Sequence, residues 1–448
     1  MNRFSMTSKD FESPIGILTK KYCPTQQAPS AIPNLFFDML HGRAQFQYPD
    51  QLDQRSIRLL DIKPIKSEKI TIGLHTYLLD CAPSYISLSY TWGDPNDSSA
   101  IICHGQTLRV TKNLEEALWQ LKKSQDIFKQ RVVACNGNSE PLYFWIDAIC
   151  INQNDDNEKN NQVRLMWEIY SHADLVIAWL GKQNEAAERG LDLVKKLAII
   201  IEQRSKGLNA GAGEKGEHQG FNPVELQSLD LPGITSSAWD DFYSIFSRQW
   251  FGRVWIIQEF VAAKECVFLC GDDIIDSSTL LRLGQYIEDD SLLRSMRNWD
   301  RRRHLGANVA RLAALKRKEK KTDLLELLWS THLFRATDPR DRVFALLHMA
   351  QDIAPDMISD LIDYRLDTDQ VLIKTASLSL CQGSLNLLSF AQSSGDLYRL
   401  PSWVPYWTAL DFSYTPLVMS RGVSALNQTA MPSESCCHVE ANSVSVRP

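Results

Sequence analysis

Seven polar or aromatic side chains that could do chemistry fall in two short stretches. Ser89, Tyr90 and Trp92 close the run YISLSYTWGD, and Asp147, Asn152, Gln153 and Glu158 are spread through IDAICINQNDDNEKNN. Hydroxyls, amides and carboxylates beside aromatic rings are what a nucleotide or sugar pocket would need. Glu158 begins a helix, where free amides and the macrodipole favour an ionised carboxylate. Each residue also has a plainer reading. Trp92-Gly93 can simply turn the chain, Gly93 taking a conformation that other residues resist. Asp147 can cap loop amides, and Asn152 and Gln153 can hold their turn together through side-chain to backbone bonds. Asp155-x-x-Glu158 is close to a capping box. Arg253, Trp255, Gln258 and Glu259 lie on an aromatic helical segment and read as packing and surface ion pairs.

To bring the two stretches together, the elements around them must form a sheet with helical crossovers. Ile86, Leu88 and Tyr90 alternate with Tyr85, Ser87 and Ser89, the period of a strand. SIRLLDI and KITIGLHTYLLD read as strands before it, and AIICHGQTLRV as a hairpin turning at His104-Gly105. Leu114, Leu118 and Leu121 form the apolar stripe of a helix. LYFWIDAIC (142–150) is a nearly continuous apolar run, expected of a strand buried on both faces, and DLVIAWLG is another. Trp145, Ile146, Val176 and Ile177 are therefore expected in the core. Between these runs, Val163, Met166, Trp167 and Tyr170 follow helical spacing. Strand, helix, strand, helix at this spacing implies parallel βαβ units, with ligands bound beyond the carboxyl ends of the strands.

The 448 residues suffice for two or three domains. An apolar content of 44%, a charged content of 23% and a net charge of −6 describe an ordinary globular protein with no general pull toward nucleic acid or an anionic membrane. No apolar run approaches the roughly 20 residues of a membrane span, and the N-terminus has no secretory h-region. The ten cysteines include no CxxC pair or zinc spacing; they read as reduced structural thiols in a cytoplasmic protein, with no metal. Residues 205–223 are Gly-rich but lack the P-loop order, and read as a flexible insertion. Beyond about residue 277 the pattern becomes helical. The basic stretch RRRHLGANVARLAALKRKEKK reads as a solvated face on a core helix, and TDPRDRVFALLHMA as a helix capped at Thr337 or Asp338.

RSIRLLDI, YISLSYTWGDP, LRVTKNLEEAL, FWIDAICINQNDDNEKNNQV, IYSHADLVIAWLG and RQWFGRVWIIQE occur in that order and together closely resemble the fungal heterokaryon incompatibility (HET) domain. ATDPRDRVFALL and LPSWVPYW resemble the helical extension often attached to it. Lys159, Gln249 and Tyr406 depart from the family pattern, which has Arg, Pro and Asp there. The resemblance implies an α/β fold with a mostly parallel sheet and flanking helices, TIR-like, followed by a mainly helical C-terminal region. The expected plan is a lead-in over 1–53, the HET core over 54–277, a helical extension over 278–415 and a disordered tail over 416–448.

In function the resemblance implies fungal self/non-self recognition. Growth arrest or programmed cell death would follow fusion of incompatible cells, through an incompatibility partner protein or self-association. Two alternatives stand beside a purely signalling module. One is an accessory role in another fungal pathway. The other is a TIR-type hydrolase with NAD as substrate. There Glu158 would be the catalytic carboxylate, stabilising an oxocarbenium-like ribose, while Ser89, Tyr90, Trp92, Asp147, Asn152 and Gln153 would line the ligand crevice.

Overall fold

A computed structural model describes residues 44–49, 51–64, 68–133, 141–209, 221–289, 299–317, 322–390, 400–407, 437–440 and 443–446. Nine strands form one sheet: β1 Ser56–Ile62, β2 Thr71–Leu78, β3 Tyr85–Ser89, β4 Ser98–Cys103, β5 Gln106–Thr111, β6 Tyr143–Trp145, β7 Leu175–Gly181, β8 Cys266–Cys270 and β9 Asp273–Asp276. Their order is β5-β4-β2-β1-β6-β3-β7-β8-β9. The central run β6-β3-β7-β8 is parallel throughout, as the βαβ spacing implies. Antiparallel pairs surround it: β1 with β2 and β6, β4 with β5, and β8 with β9. The sheet is thus mixed: its longest parallel run is at the centre, where both faces are covered, and β2 pairs with β4 in parallel nearer one edge. Trp145, Ile146, Val176 and Ile177 are all buried, as their apolar runs require.

Helices α1 Lys112–Lys123 and α2 Gln125–Val133 lie between β5 and β6. A single turn, α3 Asp147–Cys150, and the long helix α4 Asp156–His172 follow β6. Then come α5 Glu185–Asn209, α6 Pro223–Ser228, α7 Ala238–Phe246 and α8 Trp255–Ala262, ahead of β8. Crossovers between parallel strands are right-handed. The chain moves one way across the sheet from β3 to β6 and the other way from β6 to β7. The two connections therefore leave on opposite faces, and the crevice between β3 and β6 is a topological switch point. The connections from β6 to β7 and from β7 to β8 run in the same direction, and α4 and α8 pack together accordingly.

The run read as one strand over 142–150 is two elements: β6 ends at Trp145 and the chain turns helical at Asp147. An apolar run of this length does not separate a strand from a buried helical turn. The hairpin turns as expected, with His104 and Gly105 both at positive φ. Helix α5 reaches Asn209 and the capping box of α6 starts at Asn222, so residues 210–220 of the Gly-rich stretch lie outside the described residues. Most of 416–448 lies outside them too; Cys437–Glu440 and Ser443–Val446 form a short antiparallel pair.

The helical extension is seated on α4 and α8. Arg335 donates its N–H to Gly252 O (2.5 Å), and its carbonyl accepts from Val254 N (2.9 Å). Tyr364 N donates to Asn160 Oδ1 (3.0 Å), Arg164 to Ile362 O (2.8 Å), and Trp167 stacks on His348. Lys316, on the helix Trp299–Arg317, donates to the carbonyls of Phe260, Val261 and Ala263 at the C-terminal end of α8. A cation there satisfies carbonyls that have no helical partner. Among the described residues no helix is long and apolar enough to cross a membrane.

Candidate functional site

Strand β3 carries hydroxyls along one face because that face looks onto α4 and α8. Tyr85 donates to Ile169 O of α4 (2.6 Å). Ser89 is buried and accepts from Trp250 Nε1 (2.7 Å), which orients its own O–H toward Glu259 Oε2 of α8. Arg253, just before α8, donates to the carbonyl of Tyr90 and lies 3.7 Å from Glu259 Oε1. Burial pushes the Glu259 carboxyl upward, and Arg253 offsets part of that rise. The strand end is thus bound through a serine, a carboxylate and a guanidinium that begin far apart in the chain.

At the mouth of the crevice Trp92 is 43% exposed and donates its indole N–H to Asp147 Oδ2 (2.8 Å). Asp147 Oδ1 accepts from Ala148 N (2.7 Å), so this carboxylate does cap a loop amide. Burial raises the Asp147 carboxyl, opposed by Arg253 and by the hydrogen bonds it accepts. Tyr90 is only 2% exposed, and its hydroxyl lies against the Asp147 carboxylate, just beyond a normal hydrogen-bond geometry. Gly93 has φ +81°, which explains why glycine follows the tryptophan. Asn113 of α1 steadies the same turn, donating to Thr91 O (2.6 Å) and accepting from Trp179 Nε1 (3.0 Å).

Ser89, Tyr90, Trp92 and Asp147 are therefore brought together, as the residue types suggest. Asn152 and Gln153 serve the loop behind them. Asn152 Oδ1 accepts from Asn154 N (3.2 Å), and Gln153 Nε2 donates to Asp147 O (3.0 Å). Glu158 stands apart and inside. It is 2% exposed and grips Arg58 of β1 with both oxygens, at 2.5 and 3.0 Å. It also accepts from Asn152 N (2.6 Å), while Asp155 caps α4 through the amides of Asn157 and Glu158. The capping box is not closed; Glu158 reaches past the cap to the loop. Arg58 donates to Cys150 O (3.1 Å) and lies over the Tyr48 ring, 4.6 Å from its centre. Tyr48 donates to Ile149 O and Ile151 O, so residue 48 of the lead-in helps hold the loop.

Sequence reasoning missed Tyr48 and Arg58, and read Arg253 and Glu259 only as packing and surface pairs. A charge at the centre of SIRLLDI, and a Gln-Glu pair inside an apolar helix, were the available signals. A groove of about 400 Å³ beside Trp119 offers less chemistry. Its charges are already paired: Lys112 with Glu115, Lys182 with Glu116, and Lys123 with Asp272.

Residues 85–259 match the family described as Heterokaryon incompatibility protein (HET), a segment that opens on the first residue of β3 and closes on Glu259. The chain carries a HET domain. A curated relative, "Heterokaryon incompatibility protein 6, OR allele" of Neurospora crassa, is 28% identical over 412 residues, covering 78% of this chain. The aligned part spans 57% of that relative's length. No solved structure matches this chain. Within the HET domain, the matched boundaries enclose the whole Ser89–Glu259 constellation but leave out Arg58 and the helical extension that supports it.

Proposed function

We propose that this protein acts in fungal heterokaryon incompatibility. It takes part in self/non-self recognition and sets off growth arrest or cell death after incompatible cells fuse. It works in the cytoplasm, through a partner protein or by self-association. The observation that carries this reading is the HET family match, whose two ends coincide with the strand and the carboxylate that build the β3 crevice. A crevice at the carboxyl ends of parallel strands is where an open α/β sheet does its work. Trp92 stands at its mouth with Asp147 and Arg253 behind it, and Tyr90, Ser89 and Glu259 are buried beneath them.

Glu158 contributes by fastening the loop that presents Asp147. A direct chemical role would first require the carboxylate to part from Arg58. The test is inducible expression of the full chain in a fungal host, scored by colony growth and viability. Wild type is expected to arrest growth, and Arg253→Ala to abolish the arrest at equal protein level. Growth-neutral wild type would overturn the reading in favour of an accessory role.

A further inference from the structure

We propose that the crevice between β3 and β6 binds a ring bearing vicinal hydroxyls, a ribosyl or hexosyl unit, stacked on Trp92 and gripped by Asp147 and Arg253. This rests on reading the crevice as the working surface of the HET domain. Three observations lead to it. The first is the Trp92 ring, 43% exposed although its N–H is already engaged by Asp147. An exposed indole with its donor occupied offers only a face, and faces stack on planar rings or on the C–H side of sugars.

The second is the pairing of opposite hydrogen-bonding characters. Arg253 is 22% exposed, and among the described residues its side chain meets the Tyr90 carbonyl and Glu259; a guanidinium has five N–H donors to place. Asp147 accepts one bond at each oxygen from Trp92 and Ala148, leaving lone pairs on both. A simple anion drawn to Arg253 would meet Asp147 and Glu259, and a simple cation would meet Arg253. A hydroxyl both donates and accepts, so adjacent hydroxyls fit an acceptor beside a donor. The third observation is Tyr90, buried to within 2% and aimed at Asp147 without a closed hydrogen bond. Its hydroxyl lies behind that carboxylate, where a slight shift lets it donate to Asp147 and steady it beneath a bound ring.

Isothermal titration calorimetry on the purified full chain tests this. The titrants are adenosine and methyl α-glucoside, each against its 2-deoxy counterpart, with inorganic phosphate and choline as ionic controls. At least one hydroxylated ring is expected to bind, and its deoxy counterpart about tenfold more weakly. Binding of adenosine identifies a ribosyl ligand; binding of the glucoside alone identifies a free sugar. Trp92→Ala is expected to weaken binding about tenfold at an unchanged melting temperature. Three results would each overturn the inference: no hydroxylated ring binding at millimolar concentration, equal affinity for the deoxy partners, or Trp92→Ala binding as wild type does. Growth arrest is scored separately. Arrest by a chain that binds none of the rings removes only the ligand, and binding by a growth-neutral chain removes only the proposed function.

Discussion

Glu158 and Arg58 are buried together, so removing one strands the other. Glu158→Ala is expected to cost about 3–5 kcal/mol, because the guanidinium stays inside without its counter-charge. Combining Arg58→Met with Glu158→Leu should cost less than Glu158→Ala alone, and urea denaturation measures both. A loss below about 1 kcal/mol in Glu158→Ala would reduce the carboxylate to a helix-end accessory. Asp147 gives a pH signature. Burial raises its carboxyl in the folded chain above the unfolded value near 3.8. Between those two values the folded chain holds the extra proton, so its stability falls as pH rises through the window and stays lower above it. Asp147→Asn removes that penalty. Its melting temperature relative to wild type should therefore climb as pH increases from below 3.8 toward neutrality. A difference that ignores pH would mean that Asp147 is not held in a burying environment. What was legible at this scale follows from sequence distance. Tyr90, Trp92 and Asp147 sit just beyond strand ends, and strand ends can be read from periodicity. The partners that complete the site are 100 residues away for Arg58 and Glu158, and 170 away for Ser89 and Glu259. Such a pairing appears only once the strand order is known.

Helix α8 ends against a side chain from another helix. Lys316 reaches three of its terminal carbonyls, and burial lowers the lysine's affinity for its proton. Lys316→Met keeps the stem and removes the donors. It is expected to cost about 1–3 kcal/mol, read as a drop in the denaturation midpoint. Ile146 joins β6 to α3 and is fully buried. Ile146→Asp would bury an unpaired charge and should unfold the chain or lower its stability by several kcal/mol. A soluble variant that melts as wild type does would contradict the position of this junction. Most elements were legible because amphipathic helices and buried strands have different periods. β6 and α3 read as one element because the apolar run continues from Leu142 through Cys150 almost unbroken, and such a run erases the period that would tell them apart.

At the scale of the molecule, the HET match covers only part of one folded unit. Residues 85–259 lack β1, β2, β8 and β9, and with them Arg58 and the strands that flank β6 and β7. A fragment cut at 85 and 259 is expected to lose cooperative unfolding by circular dichroism, while the full chain keeps it; a fragment with a sharp transition would show that the outer strands are dispensable. The joint between the HET segment and the helices after it has a particular character at Arg335. There the two parts meet main chain to main chain, through Gly252 O and Val254 N on either side of Arg253. Such a joint does not read side-chain identity. Residue 335 can change over generations without disturbing how Arg253 is held, with proline as the exception because it lacks the donating N–H. Side chains along this stretch can therefore differ while the two parts stay in register.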